Sequence, residues 1–101
     1  MNERPIPPAA LRDENSTEML RVWIAEQKLH CSLKIGMYRA MQINEEVAWG
    51  TILADAARHI AIALSEENQD LEGIVLEKIR SHFNAELAAP SSPATGGFIE
   101  D

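Results

Sequence analysis

Asp55, Arg58 and His59 lie three and four residues apart, the spacing that brings side chains to one side of a helix. A carboxylate beside an imidazole fixes the ring tautomer and raises its basicity, which prepares a general base, and a neighbouring guanidinium can receive an anion. The same three residues also describe a solvated helix face carrying an ordinary ion pair. No nucleophile completes a triad with them. Ser65 stands six residues beyond His59, and Cys31, between Leu29 and Leu33 at alternate positions, reads as a small buried hydrophobe with no Cys-x-x-Cys or basic context to lower its pKa. His30, His59 and His82 show no ligand spacing such as His-x-x-x-His, so no metal site is expected. No catalytic residue and no cofactor are assigned, and Asp55, Arg58 and His59 stand as candidate binding residues.

A second candidate surface follows from the strands. Leu20, Val22 and Ile24 alternate with Arg21, Trp23 and Ala25, and after a polar break Leu29, Cys31, Leu33 and Ile35 alternate with His30, Ser32 and Lys34. A hairpin with Ile24 facing Leu29, Val22 facing Cys31 and Leu20 facing Leu33 puts every large aliphatic on one side. Glu26-Gln27 is a poor pair for a tight primed turn, so a four-residue loop from Ala25 to Lys28 is expected, in the same register. The opposite face then carries Arg21, Trp23, His30, Ser32 and Lys34. A tryptophan on an open sheet face is the residue type most enriched at interface hot spots. The competing expectation is that Trp23 is covered by the N-terminal segment from Pro5 to Leu11, or stacks against His30 across the strands. A two-stranded sheet also has free edges that a second copy could pair with.

Two helices must position the first group. Asn44 reads as an N-cap with Glu45 and Glu46 in the first turn, where the helix dipole favours negative charge. Beyond it Trp49, Ile52, Leu53, Ala56, Ile60, Ala63 and Leu64 recur at helical spacing, with Gly50 expected where the backbone approaches the sheet. After Ser65-Glu66-Glu67-Asn68, taken as a polar break, Leu71, Ile74, Val75, Ile79, Phe83 and Leu87 mark a second helix that ends near Ala88, before Pro90. The segment from Met37 to Ile43 fits neither period. Its apolar Met37, Tyr38, Met41 and Ile43 suit an irregular crossing on the core, or a flexible lip over a groove. The expected fold is two-layer α+β, an antiparallel β-hairpin packed on two antiparallel α-helices in the order β-β-α-α. Residues 1–16 are expected to be an extended Pro-rich segment, 17–89 a single domain and 90–101 a flexible tail.

Size and charge narrow the function classes. The chain has 101 residues and a formal charge of -7, from 16 acidic and 9 basic side chains, and the basic residues are scattered without a stripe that could neutralise phosphates. Nucleic-acid binding is not expected. No secretory signal opens the chain, and charge breaks its apolar stretches, so no membrane partner is expected. One cysteine cannot form an internal disulfide, which makes a cytoplasmic address the default.

The combination Leu20-Arg21-Val22-Trp23-Ile24-Ala25, His30-Cys31-Ser32-Leu33, Trp49-Gly50, Leu53-Ala54-Asp55 and Ala57-Arg58-His59 resembles a small bacterial family, domain of unknown function 5076, over roughly Pro7 to Pro90. The resemblance implies a compact α+β domain, found mostly in alphaproteobacteria as a short stand-alone protein, with no assigned activity and no catalytic residue to carry over. The functional expectation is a binding or interaction domain that self-associates through the hairpin as a homodimer or higher homo-oligomer, or meets a different protein there. Trp23, Arg21 and His30 are its site residues. The alternative is a small ligand-binding protein or enzyme using Asp55, Arg58 and His59.

Overall fold

A computed structural model describes residues 1–100, with side chains through Phe98. The opening segment is not wholly extended: Pro8, whose fixed φ suits a first helical position, starts a short helix α1 (Pro8–Arg12). Strands β1 (Leu20–Ala25) and β2 (Lys28–Ile35) pair antiparallel with Leu20 opposite Leu33, Val22 opposite Cys31 and Ile24 opposite Leu29. This is the register set by the aliphatic alternation. The loop is tighter than expected, because Ala25 pairs with Lys28 and leaves only Glu26 and Gln27 to turn the chain, at φ 53° and 65°. Both residues therefore adopt the left-handed conformation of a type I′ turn, which side chains other than Gly and Asn disfavour. Strand pairing on either side outweighs the local cost.

A third strand lies where a tail was expected. Strand β3 (Gly96–Glu100) pairs parallel to β2, Cys31 opposite Gly96 and Leu33 opposite Phe98, giving a sheet of order β1-β2-β3. Gly96 makes this approach possible: at φ 127°, any Cβ there would overlap the backbone of Cys31.

Between β2 and β3 run α2 (Met37–Ala40), α3 (Glu45–Asn68) and α4 (Glu72–Ala88). Asn44 caps α3 as its residue type suggests, its Oδ1 accepting from the N–H groups of Glu46 (2.9 Å) and Val47 (3.4 Å). The helix passes through the supposed break at Ser65, whose Oγ donates to Ile62 O (2.9 Å), and stops only when Gln69 turns left-handed at φ 60°. Helix α4 ends at Ala88, before Pro90. The class is α+β in the order β-β-α-α, with the extra strand closing the sequence of elements.

Burial is where the molecule departs furthest from expectation. Among the described residues only Ala61 and Val75 are buried hydrophobics. On the aliphatic side of the hairpin, Leu20, Cys31, Leu33 and Ile35 are half-buried, but Val22, Ile24 and Leu29 at the turn end are 52%, 79% and 56% exposed. The main packing runs strand on strand, α3 on α4 and α2 on α3, so the hairpin does not lie broadly against the two long helices as expected. Gly50, expected to mark a close approach of backbone to sheet, has nothing within 4 Å of the space a Cβ would occupy. Helix α3 is interrupted by charge at Asp55 and Arg58, yet stays apolar on average. Its 18-residue window of mean hydropathy 1.3 is long and apolar enough, by length and composition alone, to cross a membrane.

Candidate functional site

On the non-aliphatic side of the hairpin, Trp23 stands directly opposite His30. His30 Nε2 lies 3.1 Å from the carbonyl of Ala25, which ties the ring to the strand beside it. The guanidinium of Arg21 lies over the Trp23 ring, 5.9 Å from its centroid. That cation is already engaged. Its Nε and Nη2 donate to the two Glu18 oxygens at 2.9 and 3.0 Å, and its Nη1 donates to Glu3 Oε2 at 3.1 Å. Hydrogen bonding and charge from Glu18, with a smaller contribution from Glu3, hold the Arg21 pKa above its ordinary value. Trp23 is half-buried, more covered than strand patterning alone suggests. Met1 and Asn2 line an open cleft with Trp23, Ala25 and His30, and Glu3 reaches Arg21 above the ring. Arg21, Trp23 and His30 form one structural cluster, and a ligand anion would have to displace a carboxylate to reach Arg21.

On α3 the expected trio does come together. Arg58 Nη2 is 3.5 Å from Asp55 Oδ1 and His59 Nε2 is 3.4 Å from Asp55 Oδ2. All three side chains are well exposed, with no wall around them to exclude water, so they have the geometry of a solvated ion pair and not of a prepared base. The hairpin cluster and the α3 trio remain separate constellations on different elements. Among the described residues no group of three or more His, Cys, Asp or Glu is placed to hold a metal ion.

Sequence reasoning missed the most organised polar site. Gly36, buried and left-handed at φ 102°, turns the chain out of β2 into α2, and the N–H groups exposed by that turn converge on Glu45. Gly36 N–H donates to Oε1 (3.1 Å), while Tyr38 and Arg39 N–H donate to Oε2 (2.8 and 3.0 Å). The carboxyl is held ionised below its ordinary range by Gly36 first, then by Arg39 and Tyr38, with partial desolvation opposing them. The Trp49 indole, one turn along α3, contributes weakly to the same effect, yet its buried Nε1 makes no hydrogen bond of good geometry. Glu45 thus does more than charge a helix entry: it ties α2, α3 and the end of β2 together. The only hint in the sequence is a glycine followed by a short apolar helix, too weak to name the partner.

Residues 3–91 match the family described as a domain of unknown function, DUF5076. The chain belongs to that family. As a DUF5076 member it is also similar in structure to a provisionally named pyruvate dehydrogenase from the photosynthetic bacterium Rhodopseudomonas palustrus CGA009. The identity is 29% and the TM-score 0.71, covering 94% of this chain and 92% of that one. The curated proteins contain no match to this DUF5076 chain.

Proposed function

We propose that this chain acts as a self-assembling interaction module whose apolar hairpin face is covered by another copy of itself, without catalysis. One observation carries the reading. A folded monomer of 11.2 kDa is expected to expose about 5,700 Å², whereas this chain exposes 8569 Å². Its radius of gyration, 15.5 Å, likewise exceeds the about 13 Å expected for a compact domain of this length. Large aliphatics left in water at Val22, Ile24 and Leu29 supply the apolar patch that association would bury, and exposed Phe98 extends the same face on β3, opposite Leu33. The outer edge of β1, unpaired among the described residues, offers backbone donors and acceptors next to that patch. A free cysteine suits a reducing, cytoplasmic setting. Light scattering on a sizing column tests the reading: a mass of two or more chains that persists on dilution supports it, and a single-chain mass at micromolar concentration overturns it.

A second reading takes the Asp55, Arg58 and His59 face as a site for a small carboxylic acid. It draws on the ion pairs formed there and on the name of the similar structure, which points to pyruvate as the first ligand to try. Thermal shift with pyruvate checks it, and a response that Arg58→Ala leaves unchanged removes it.

A further inference from the structure

Helix α3 carries an apolar line distinct from the hairpin. Gly50, Leu53, Ala57, Ile60 and Leu64 recur at spacings of three, four, three and four, the repeat that keeps side chains on one seam of a paired helix. Leu53, Ile60 and Leu64 are 41%, 51% and 37% exposed, and Asp55, Arg58 and His59 lie around the opposite side of the axis. Helices α3 and α4 pack on each other, Ala61 and Val75 being buried and Ala57 half-buried, while Leu53 and Ile60 stay exposed. At its C-terminal end the line meets a groove between the two helices, where Leu64 stands with Ile79 and Phe83.

The line has a centre. Gly50 and Leu64 each lie seven residues from Ala57, while Leu53 and Ile60 lie four before and three after it. Turned end for end about Ala57, the pattern fits itself: Leu53 falls beside Ile60, and Leu64 falls over Gly50, where there is empty space for a side chain. A two-fold interface requires this self-complementarity, since the same patch must serve both partners.

We propose that α3 pairs antiparallel with α3 of a second copy about Ala57, so that two α3–α4 hairpins build a four-helix bundle. The inference rests on the self-assembly reading and adds to it a surface, an orientation and an axis. The occupant is a second copy because the surface in excess of a monomer's, about 2,900 Å² per chain, is several times the about 800 Å² that a standard-size interface takes from each partner. It leaves room for both the hairpin and the helix seam. Asp55, Arg58 and His59 on the far side disfavour a lipid environment around the whole helix.

Four variants and one control test the pairing by light scattering, circular dichroism and disulfide crosslinking. Leu53→Glu and Ile60→Lys are each expected to lower the assembly mass while keeping the helical signal. Combining them in one chain is expected to restore it, because the antiparallel pair sets the new carboxylate beside the new ammonium of the other copy. Two helical turns separate the positions within one chain, so they cannot pair there. In a Cys31→Ser background, Ala57→Cys is expected to crosslink copies on oxidation and Thr51→Cys, on the polar side, is not; this pair remains informative if the charged variants fail to fold. Assembly indifferent to both single charges, or crosslinking no better at 57 than at 51, overturns the pairing while leaving self-assembly standing. A single-chain mass for the unaltered protein overturns both, as does co-flotation of monomers with anionic lipid vesicles.

Discussion

The junction around Glu45 and the open seam of α3 share one helix but differ in how far the chain completes them. At the junction, three backbone N–H groups meet one carboxylate and the left-handed Gly36 is buried. Along the seam, Leu53 and Ile60 face water and Gly50 has no neighbour. Polar groups must be satisfied wherever the chain bends, or the bend does not form. Apolar surface can instead await a partner, at a cost proportional to area. The contrast therefore separates what one chain settles alone from what association would settle.

The predictions probe that contrast from its strongest point downward. Gly96→Ala should have the largest effect, because the new methyl meets the Cys31 backbone and the residue is left-handed: β3 should detach, costing about 3 kcal/mol or more, with amide-exchange protection lost at Cys31. Retained protection there would mean that the strand has a second anchor. Glu45→Gln should come next, lowering the melting temperature by several degrees at pH 7 while leaving helix content high.

The pH dependence gives that variant a signature. Glu45 and Glu86 are both held ionised in the folded chain, Glu86 first through the N–H and then the hydroxyl of Ser91. Their folded pKa values thus lie below the ordinary 4.5, and the unfolded chain takes up protons first as pH falls. The stabilisation is complete at neutral pH, starts to go as pH drops to the ordinary carboxylate range, and is lost below the folded values. Glu45→Gln should flatten this acid slope relative to the parent chain, and an unchanged slope would assign it elsewhere.

A smaller gain is expected on replacing Glu26-Gln27 with Asn-Gly, which suits the observed left-handed turn and should add about 1 kcal/mol, read as a higher denaturant midpoint. The smallest effect belongs to His59→Ala. Removing one arm of an exposed ion pair should change stability by less than about 0.5 kcal/mol, so a larger loss would show that the polar side of α3 is also covered.

How much of this was legible follows from the range of each interaction. The hairpin register could be read because alternation and pairing are local, and Asn44 because a cap bonds two and three residues ahead. The Glu45 clamp spans nine residues with no periodic signal. Strand β3 hides behind Pro90-Ser91-Ser92-Pro93, whose composition reads as linker. The Asp55, Arg58 and His59 trio was legible as a constellation, but its openness depends on what packs around α3. Strand alternation alone leaves Trp23 open, and its half-burial was not legible because the Arg21 guanidinium that lies over it, itself held by Glu18 and Glu3, is a contact that alternation does not encode. The exposure of Val22 and Ile24 was hidden for a related reason: patterning marks a residue as needing cover without saying whose.

The parallel register of β3 also sets an order of events in folding. The β1–β2 hairpin closes across two residues, whereas Cys31 can meet Gly96 only after α2, α3 and α4 have spanned the distance between them. Local hairpins close in microseconds and long-range parallel pairing is slower. The outer edge of β2 is therefore bare during that interval, able to accept a strand from another chain, and β3 has to win that site by being tethered nearby.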